Sequence, residues 1–385
     1  MDILKKINKE KLIAWRRHFH MYPEIAYQEF ESQQYILDQL KAYPELEVHT
    51  PAGTSVVAVL KAAKPGKVVG LRADFDALPI EETADVPFKS KNPGKMHACG
   101  HDFHAAMLLG AVDTLYAMKD ELCGTIKFIF QHAEEVEPGG AIEIVNSGIL
   151  DDVEAFYGAH VSAGDACGVI AAASGPIYAA ADVFEINISG KGGHAARPDA
   201  TIDTLLVGTE IVQALNYIVS RNVPSINRSV LTVGMFRAGS AFNIIPDTAE
   251  IQGTVRTYNA ETRALITRRI HEITDNICAA YGATASVVYN NGYEPVYNDE
   301  YLYEVFKKTV QAYLPETTLE KFEPIMGGED FSAYKKIAPI FFAGVGAKDE
   351  AAEPVGHHNP RLILNEGCLP IGCALYVTMA MALGK

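Results

Sequence analysis

The segment Lys95-Met-His-Ala-Cys-Gly-His-Asp-Phe-His104 gathers three histidines, a cysteine and an aspartate into ten residues around a glycine. Thiolate and imidazole at such spacing suit a divalent metal ion, and equally a thiol nucleophile, Cys99, with His101 or His97 as its base. Four other segments carry donors. VVGLRADFDALP sets Asp74 and Asp76 two apart at the end of an apolar run, GTIKFIFQHAEE leads into Glu134 and Glu135, EAFYGAHVSAG carries His160, and GHHNPRLILNE offers His357 and His358. Each alone reads as readily as a capped turn, a solvated pair or a hydrogen-bonded histidine. Together, Cys99, His101, Glu135, His160 and one of His357 and His358 exceed the four ligands of one tetrahedral structural zinc site, which points to a two-metal centre. Two ions roughly 3.5–4 Å apart share a water, lower its pKa and clamp the carbonyl it attacks. Adjacent carboxylates in an extended chain point different ways, so Glu135 can serve as a ligand while Glu134 moves a proton from that water to the leaving amine.

For these residues to meet, the chain must bring them to loops above one sheet. Two amphipathic helices run from Ile3 to about Leu40, broken at Met21-Tyr-Pro-Glu24 where proline stops the first. SVVAVLKAA, KVVGLRADFDALP and GTIKFIFQHAEE read as strands, with the helical AAMLLGAVDTLYAMKDEL before the last of them, a pattern of βαβ units around a largely parallel sheet. Sites in such sheets lie beyond the carboxyl ends of the strands. Near residue 180 the texture changes to a self-contained β-α-β-β-α-β unit. Its strands are DVFEINISG, SVLTVGMF, TAEIQGTVRT and TASVVYN, and its helices TIDTLLVGTEIVQALNYIVS and AETRALITRRIHEITDNICAAY. The α/β texture resumes after about Asn290 with YLYEVFKKTVQAYL, IAPIFFAGVG and an apolar helix from Cys368 onward. The fold class expected is therefore α/β: a mostly parallel-sheet domain built from residues 1–179 and 291–385, interrupted by a ferredoxin-like α+β domain at 180–290.

A chain of 385 residues with 48% hydrophobic content supports two such units. Its formal net charge of -15, with no basic stripe, argues against a nucleic-acid partner and for a small neutral or zwitterionic ligand. No apolar run approaches the roughly 20 residues of a membrane helix, and the amino-terminal segment has scattered charges, so a soluble cytoplasmic protein away from membranes is expected. The six cysteines, Cys99, Cys123, Cys167, Cys278, Cys368 and Cys373, lack CxxC spacing, which suits a reducing cytosol.

HACGHDFH, LRADFDALP, QHAEE, GKGGHAARP, AFNIIPD and MGGEDF together resemble the motifs of the co-catalytic dinuclear metal aminoacylase and carboxypeptidase superfamily. The branch they resemble is that of bacterial aminoacylases, hippurate hydrolases, plant indoleacetyl-amino-acid hydrolases and N-acetyldiaminopimelate deacetylases. The likeness runs from RRHFHMYPEIAYQEFE to NEGCLPIG. It implies a metallohydrolase with Cys99, His101, Glu135, His160 and His358 as metal ligands, His358 being selected because His358-Asn359-Pro360 fits the family's His-variable-Pro spacing. It makes Glu134 the general base and Asp74 a support of the metal site, and other branches carry a metal-binding histidine where Arg72 stands. His97, Asp102 and His104 become candidates for orienting the ligands.

The same resemblance makes the inserted domain a lid and dimerisation element. His194 would reach an active site, often a partner subunit's, to stabilise the oxyanion, a role typically worth about 3–4 kcal/mol. Asn243 and Arg256 would hold the substrate carboxylate. The implied enzyme is a metal-dependent amidohydrolase of N-acyl, above all N-acetyl, amino acids, a homodimer or higher oligomer with two divalent ions per subunit: zinc, manganese, cobalt or nickel. N-acetyl-diaminopimelate deacetylation and small-peptide hydrolysis are alternatives within the family, and a Cys99 thiol hydrolase or a non-catalytic binding protein are alternatives outside it. Two departures mark this chain: His132 stands where relatives have the proline of QPAEE, and EEVEPGGA replaces the glycine-rich EEGPGGA.

Overall fold

The computed structural model describes residues 2–385. The chain divides into two compact units, one formed by residues up to Ile177 with Tyr297–Glu323 and Asp330–Lys385, the other by Tyr178–Val296 with Pro324–Glu329.

The first unit is built on an eight-stranded sheet. In spatial order its strands are Glu47–His49, Val56–Lys61, Cys123–Gln131, Lys64–Asp74, Ala155–Ala166, Ile340–Lys348, Val169–Ala172 and Thr318–Lys321. The four central strands, from Cys123–Gln131 to Ile340–Lys348, are mutually parallel, and the sheet turns mixed toward its edges. Central strands such as Ile340–Lys348 are apolar almost throughout because helices cover both faces, which removes any need for alternation. The helix His101–Ala117 is buried nearly all round, as is Leu369–Leu383, which carries Pro370 in its first turn.

The window Glu366–Leu383 corrects the expectation that no run is long and apolar enough to cross a membrane. By composition these 18 residues meet that test, but 72% of them lie inside the protein, where Leu375, Tyr376 and Met379 join the core.

The second unit has a four-stranded antiparallel sheet in the order Ser229–Ala238, Thr248–Thr257, Ala180–Ser189, Thr284–Asn290, with helices Thr204–Arg221 and Ala260–Tyr281. Here burial does alternate, as in Ala180–Ser189, because one face meets the helices through Phe184, Ile186 and Ile188. Asp203 and Asn259 cap the two helices, and Gly282 ends the second in the left-handed conformation at φ 73°.

Candidate metal centre and active site

The parallel strands deliver their donors at the carboxyl ends. Lys64–Asp74 stops at Asp74, opposite Gln131 of the neighbouring strand. Beneath both lies the buried guanidinium of Arg72, which donates to Gln131 Oε1, Asp74 Oδ2 and Asp330 Oδ1, each at 2.7 Å. Arg72 thus fills its position as a cation between two aspartates. Burial opposes the Asp74 charge, but Arg72, His101 and His104 outweigh it and hold the carboxyl well below the usual range. Removing one partner of such a buried pair typically costs about 3–5 kcal/mol. Arg72→Met is therefore expected to destabilise the metal-free protein by about that amount in urea unfolding, because Asp74 and Asp330 lose their shared cation.

His101 does not sit in a loop as expected. Gly100, at φ 92°, turns the chain into a helix whose first residue is His101, so the glycine that reads as a breaker is the N-cap. The His101 Nδ1–H faces the Asp76 carbonyl at 3.0 Å and the Asp76 carboxylate at 3.1 Å, which leaves Nε2 as the nitrogen that takes a proton or a metal ion. That buried Nε2 has no hydrogen-bond partner. It lies 3.8 Å from Asp74 Oδ2, 4.0 Å from Glu134 Oε2 and 3.9 Å from Glu135 Oε1. Burial opposes an imidazolium there, yet Asp74 and the groups around it hold the His101 pKa well above its ordinary value. The site is built for positive charge at Nε2.

The two glutamates also differ from expectation, since both carboxylates approach His101 rather than diverging. The chain is not extended here: Ala133, just before them, is left-handed at φ 51°.

His160 lies within its strand, which continues to Ala166 through pairing with Lys348. Its Nδ1–H donates to the Val161 carbonyl at 2.7 Å, and its Nε2 points at Cys99 Sγ, 3.5 Å away. Of the GHHNP pair, His358 at φ 63° brings Nε2 to 3.3 Å from Glu135 Oε1, while its backbone N–H donates to Ala98 O at 2.8 Å and ties that loop to Cys99. His357 instead accepts the Ala163 N–H through Nε2 at 3.1 Å.

Ligand atoms of Cys99, His101 and His160 lie within 4.8 Å of one another, as do those of Cys99, Glu135 and His358, and those of His101, Glu134 and Glu135. These sulfur, nitrogen and oxygen donors, turned toward one another, fit divalent ions. They do not fit a thiol nucleophile. Burial, then the Glu135 charge, pushes the Cys99 thiol up to about 12, where nucleophilic cysteines are depressed, and burial keeps its neighbour His160 far below its ordinary pKa.

The supporting residues are only partly those expected. His104 uses both ring nitrogens, Nδ1 on Asp74 Oδ1 at 2.5 Å and Nε2 on the Val161 N–H at 2.9 Å, so it steadies Asp74. Asp102 is gripped by Arg16 at 2.9 Å and His20 at 2.8 Å. His97 is buried, which pushes its pKa to about 3. His132 faces Glu143 at 3.1 Å, with its ring edge-on to Tyr27. The partner on His101 Nδ1 is Asp76, which also accepts the Glu135 N–H at 3.0 Å. Its place two residues past Asp74 signalled a donor but not which ring it would orient. Asp330, in MGGEDF, anchors Arg72, Gln131 and the Ala141 N–H.

In the other unit, His194 and Asn243 come together. The exposed His194 pairs with Ile244 in a two-stranded ribbon, and the Asn243 carbonyl accepts the Ala195 N–H at 3.1 Å. Arg256 lies elsewhere: it pairs with Ala181, whereas the ribbon follows Ser189 at the far end of that strand, roughly 26 Å along at about 3.3 Å per residue.

A largely parallel α/β sheet whose carboxyl edge gathers these donors around a buried, unpartnered imidazole nitrogen fits a metal-dependent hydrolase. The chain belongs to Peptidase family M20/M25/M40, whose model matches residues 70–382. An N-acyl-L-amino acid amidohydrolase from Geobacillus stearothermophilus is 45% identical over 290 residues, covering 75% of this chain and 78% of that one. An N-acetyl-L-cysteine deacetylase from Bacillus subtilis is 38% identical over 358 residues, covering 93% and 84%. The crystal structure of the YXEP protein of Bacillus subtilis, a dinuclear metal-binding peptidase from the M20 family, is similar with a TM-score of 0.86 at 32% identity over 98% of both chains. Divalent metal is thus the cofactor class of this enzyme.

Proposed function

We propose that this enzyme hydrolyses the amide of N-acyl amino acids, N-acetyl amino acids foremost, with Glu134 as general base. The observation that carries the reading is the unpartnered His101 Nε2 facing Asp74, Glu134 and Glu135 in a family whose relatives deacylate N-acyl amino acids. Cys99, His101, Glu135, His160 and His358 would hold two divalent ions, zinc, manganese, cobalt or nickel. When bound, such ions acidify water and polarise an amide carbonyl. Asp76 holds the His101 ring, and Arg72 and His104 hold Asp74, so the donors are oriented before substrate arrives. Glu134 takes the proton from the attacking water and returns it to the amine nitrogen as the amide bond breaks. His194 would donate to the carbonyl oxygen as it gains charge, and Asn243 beside it would bind the substrate carboxylate, a role that Arg256, at the far end of its strand, would share only from a different subunit. The second unit, at 180–290 by sequence, would serve as lid and dimer contact in a cytoplasmic homodimer.

The test is a panel of acetyl, longer acyl, benzoyl and indoleacetyl amino acids, N-acetyl-diaminopimelate and dipeptides, assayed with each of the four metals. Acetyl amino acids are expected to give the highest kcat/KM. Negligible rates across every acyl amino acid, with turnover confined to dipeptides, would replace the aminoacylase reading with a peptidase.

A further inference from the structure

We infer that Glu29 is a positioning residue for the catalytic turn: its buried carboxylate grips the Ala133 amide and so keeps Glu134 on target. The inference rests on Glu134 acting as the base. Ala133 is fully buried at φ 51°, a left-handed conformation that an alanine side chain disfavours, so its surroundings must impose it. Its N–H donates to Glu29 Oε1 at 2.9 Å, and its carbonyl accepts from the Gly140 N–H at 3.1 Å. Two residues on, the Glu135 N–H is held by Asp76 Oδ2 at 3.0 Å. Two buried carboxylates therefore pin the amides on either side of Glu134.

Glu29 is hard to explain otherwise. Its side chain has no measurable exposure, and its second oxygen accepts the Thr54 hydroxyl at 2.7 Å. Among the described residues no lysine, arginine or histidine pairs with it. Burial, with Asp76 adding to it against the Thr54 bond, pushes its pKa up to about 7. It stands at the N-cap of the helix Phe30–Leu40, yet its side chain does not cap that helix. A fold needing only an acceptor here would be served by glutamine, without the cost of a buried charge. Both Glu29 oxygens accept at once, one from the Ala133 N–H and the other from the Thr54 hydroxyl, which the single acceptor oxygen of a glutamine cannot do.

The test compares Glu29→Gln, Thr54→Val and the double variant Glu29→Gln/Ala133→Gly with the wild-type metalloenzyme on its best N-acyl substrate. Glu29→Gln should lower kcat about tenfold or more, the scale on which small misplacements act, with KM within about twofold and metal content unchanged. Thr54→Val loses the other bond of the same carboxylate; it should cost thermal stability but leave kcat within about twofold. Glycine carries no steric penalty at positive φ, so adding Ala133→Gly should recover at least a third or so of the lost kcat. Should Glu29→Gln fail to fold, Glu29→Asp, which keeps the charge and loses the reach, carries the same expectation. Unchanged kcat in the Glu29 variant, a loss that only tracks lost metal, or no recovery in the double variant overturns the inference. A wild type inactive on every acyl amino acid instead overturns the functional reading.

Discussion

Glu134→Gln is expected to lower kcat by about 10³-fold, within the 10²–10⁴ range of general acid-base catalysis, while the protein keeps its metal. The glutamine matches the shape of Glu134, which is mostly buried beside the donor cluster, but it cannot accept the proton of the attacking water or pass it to the leaving amine. KM should change little, since the lost interaction develops only in the transition state. Elemental analysis alongside steady-state kinetics checks both halves. Near wild-type turnover would remove Glu134 from the chemistry. A wild type that binds N-acyl amino acids without turning any over would restore the non-catalytic reading.

Cys99→Ala should act still more severely, because Cys99 belongs to two of the three-donor groups at once. Without the sulfur, one group is left with His101 and His160 and the other with Glu135 and His358. We expect metal content to fall sharply and kcat to drop by more than about 10³-fold, several kcal/mol of lost Lewis-acid assistance converted at 1.36 kcal/mol per decade. A thiol nucleophile would also lose activity on this substitution, so the wild type must be tested in parallel. Exhaustive chelation and dialysis should abolish its turnover, and a divalent ion should restore it. Activity that survives verified metal removal would favour the thiol mechanism despite the raised pKa of Cys99.

The sequence made long regular elements legible and left contacts that depend on tertiary placement obscure. Helix Ala260–Tyr281 and strand Thr248–Thr257 coincide with their sequence patterns because periodicity and caps are local. The short strands Glu47–His49, Val169–Ala172 and Thr318–Lys321 carry too few residues to show a period. His101 read as a loop residue because Gly100 looks like a breaker until its φ is known. His160 read as a strand end because apolar character fades after Val161, although pairing with the Ile340–Lys348 strand carries the backbone on to Ala166. For the site, ligand chemistry at the strand ends picked out the cluster, and resemblance chose His358 over His357. Local pattern could not show that Asp76 would hold the His101 ring, nor that Glu29 would reach Ala133 from 104 positions away.

The placement of strand Ile340–Lys348 also governs how the chain matures. It lies between Ala155–Ala166 and Val169–Ala172, partners made much earlier during synthesis, and the His358 loop and the Leu369–Leu383 helix come later still. The nascent catalytic unit must therefore wait with the edge of Ala155–Ala166 unpaired, while the four-stranded sheet, whose pairings all lie between Ala180 and Asn290, can form on the ribosome. An open strand edge of this kind is where chaperone capture or aggregation acts. Slow translation of residues 297–385 should therefore depress the yield of active enzyme more than the same delay placed within residues 180–290.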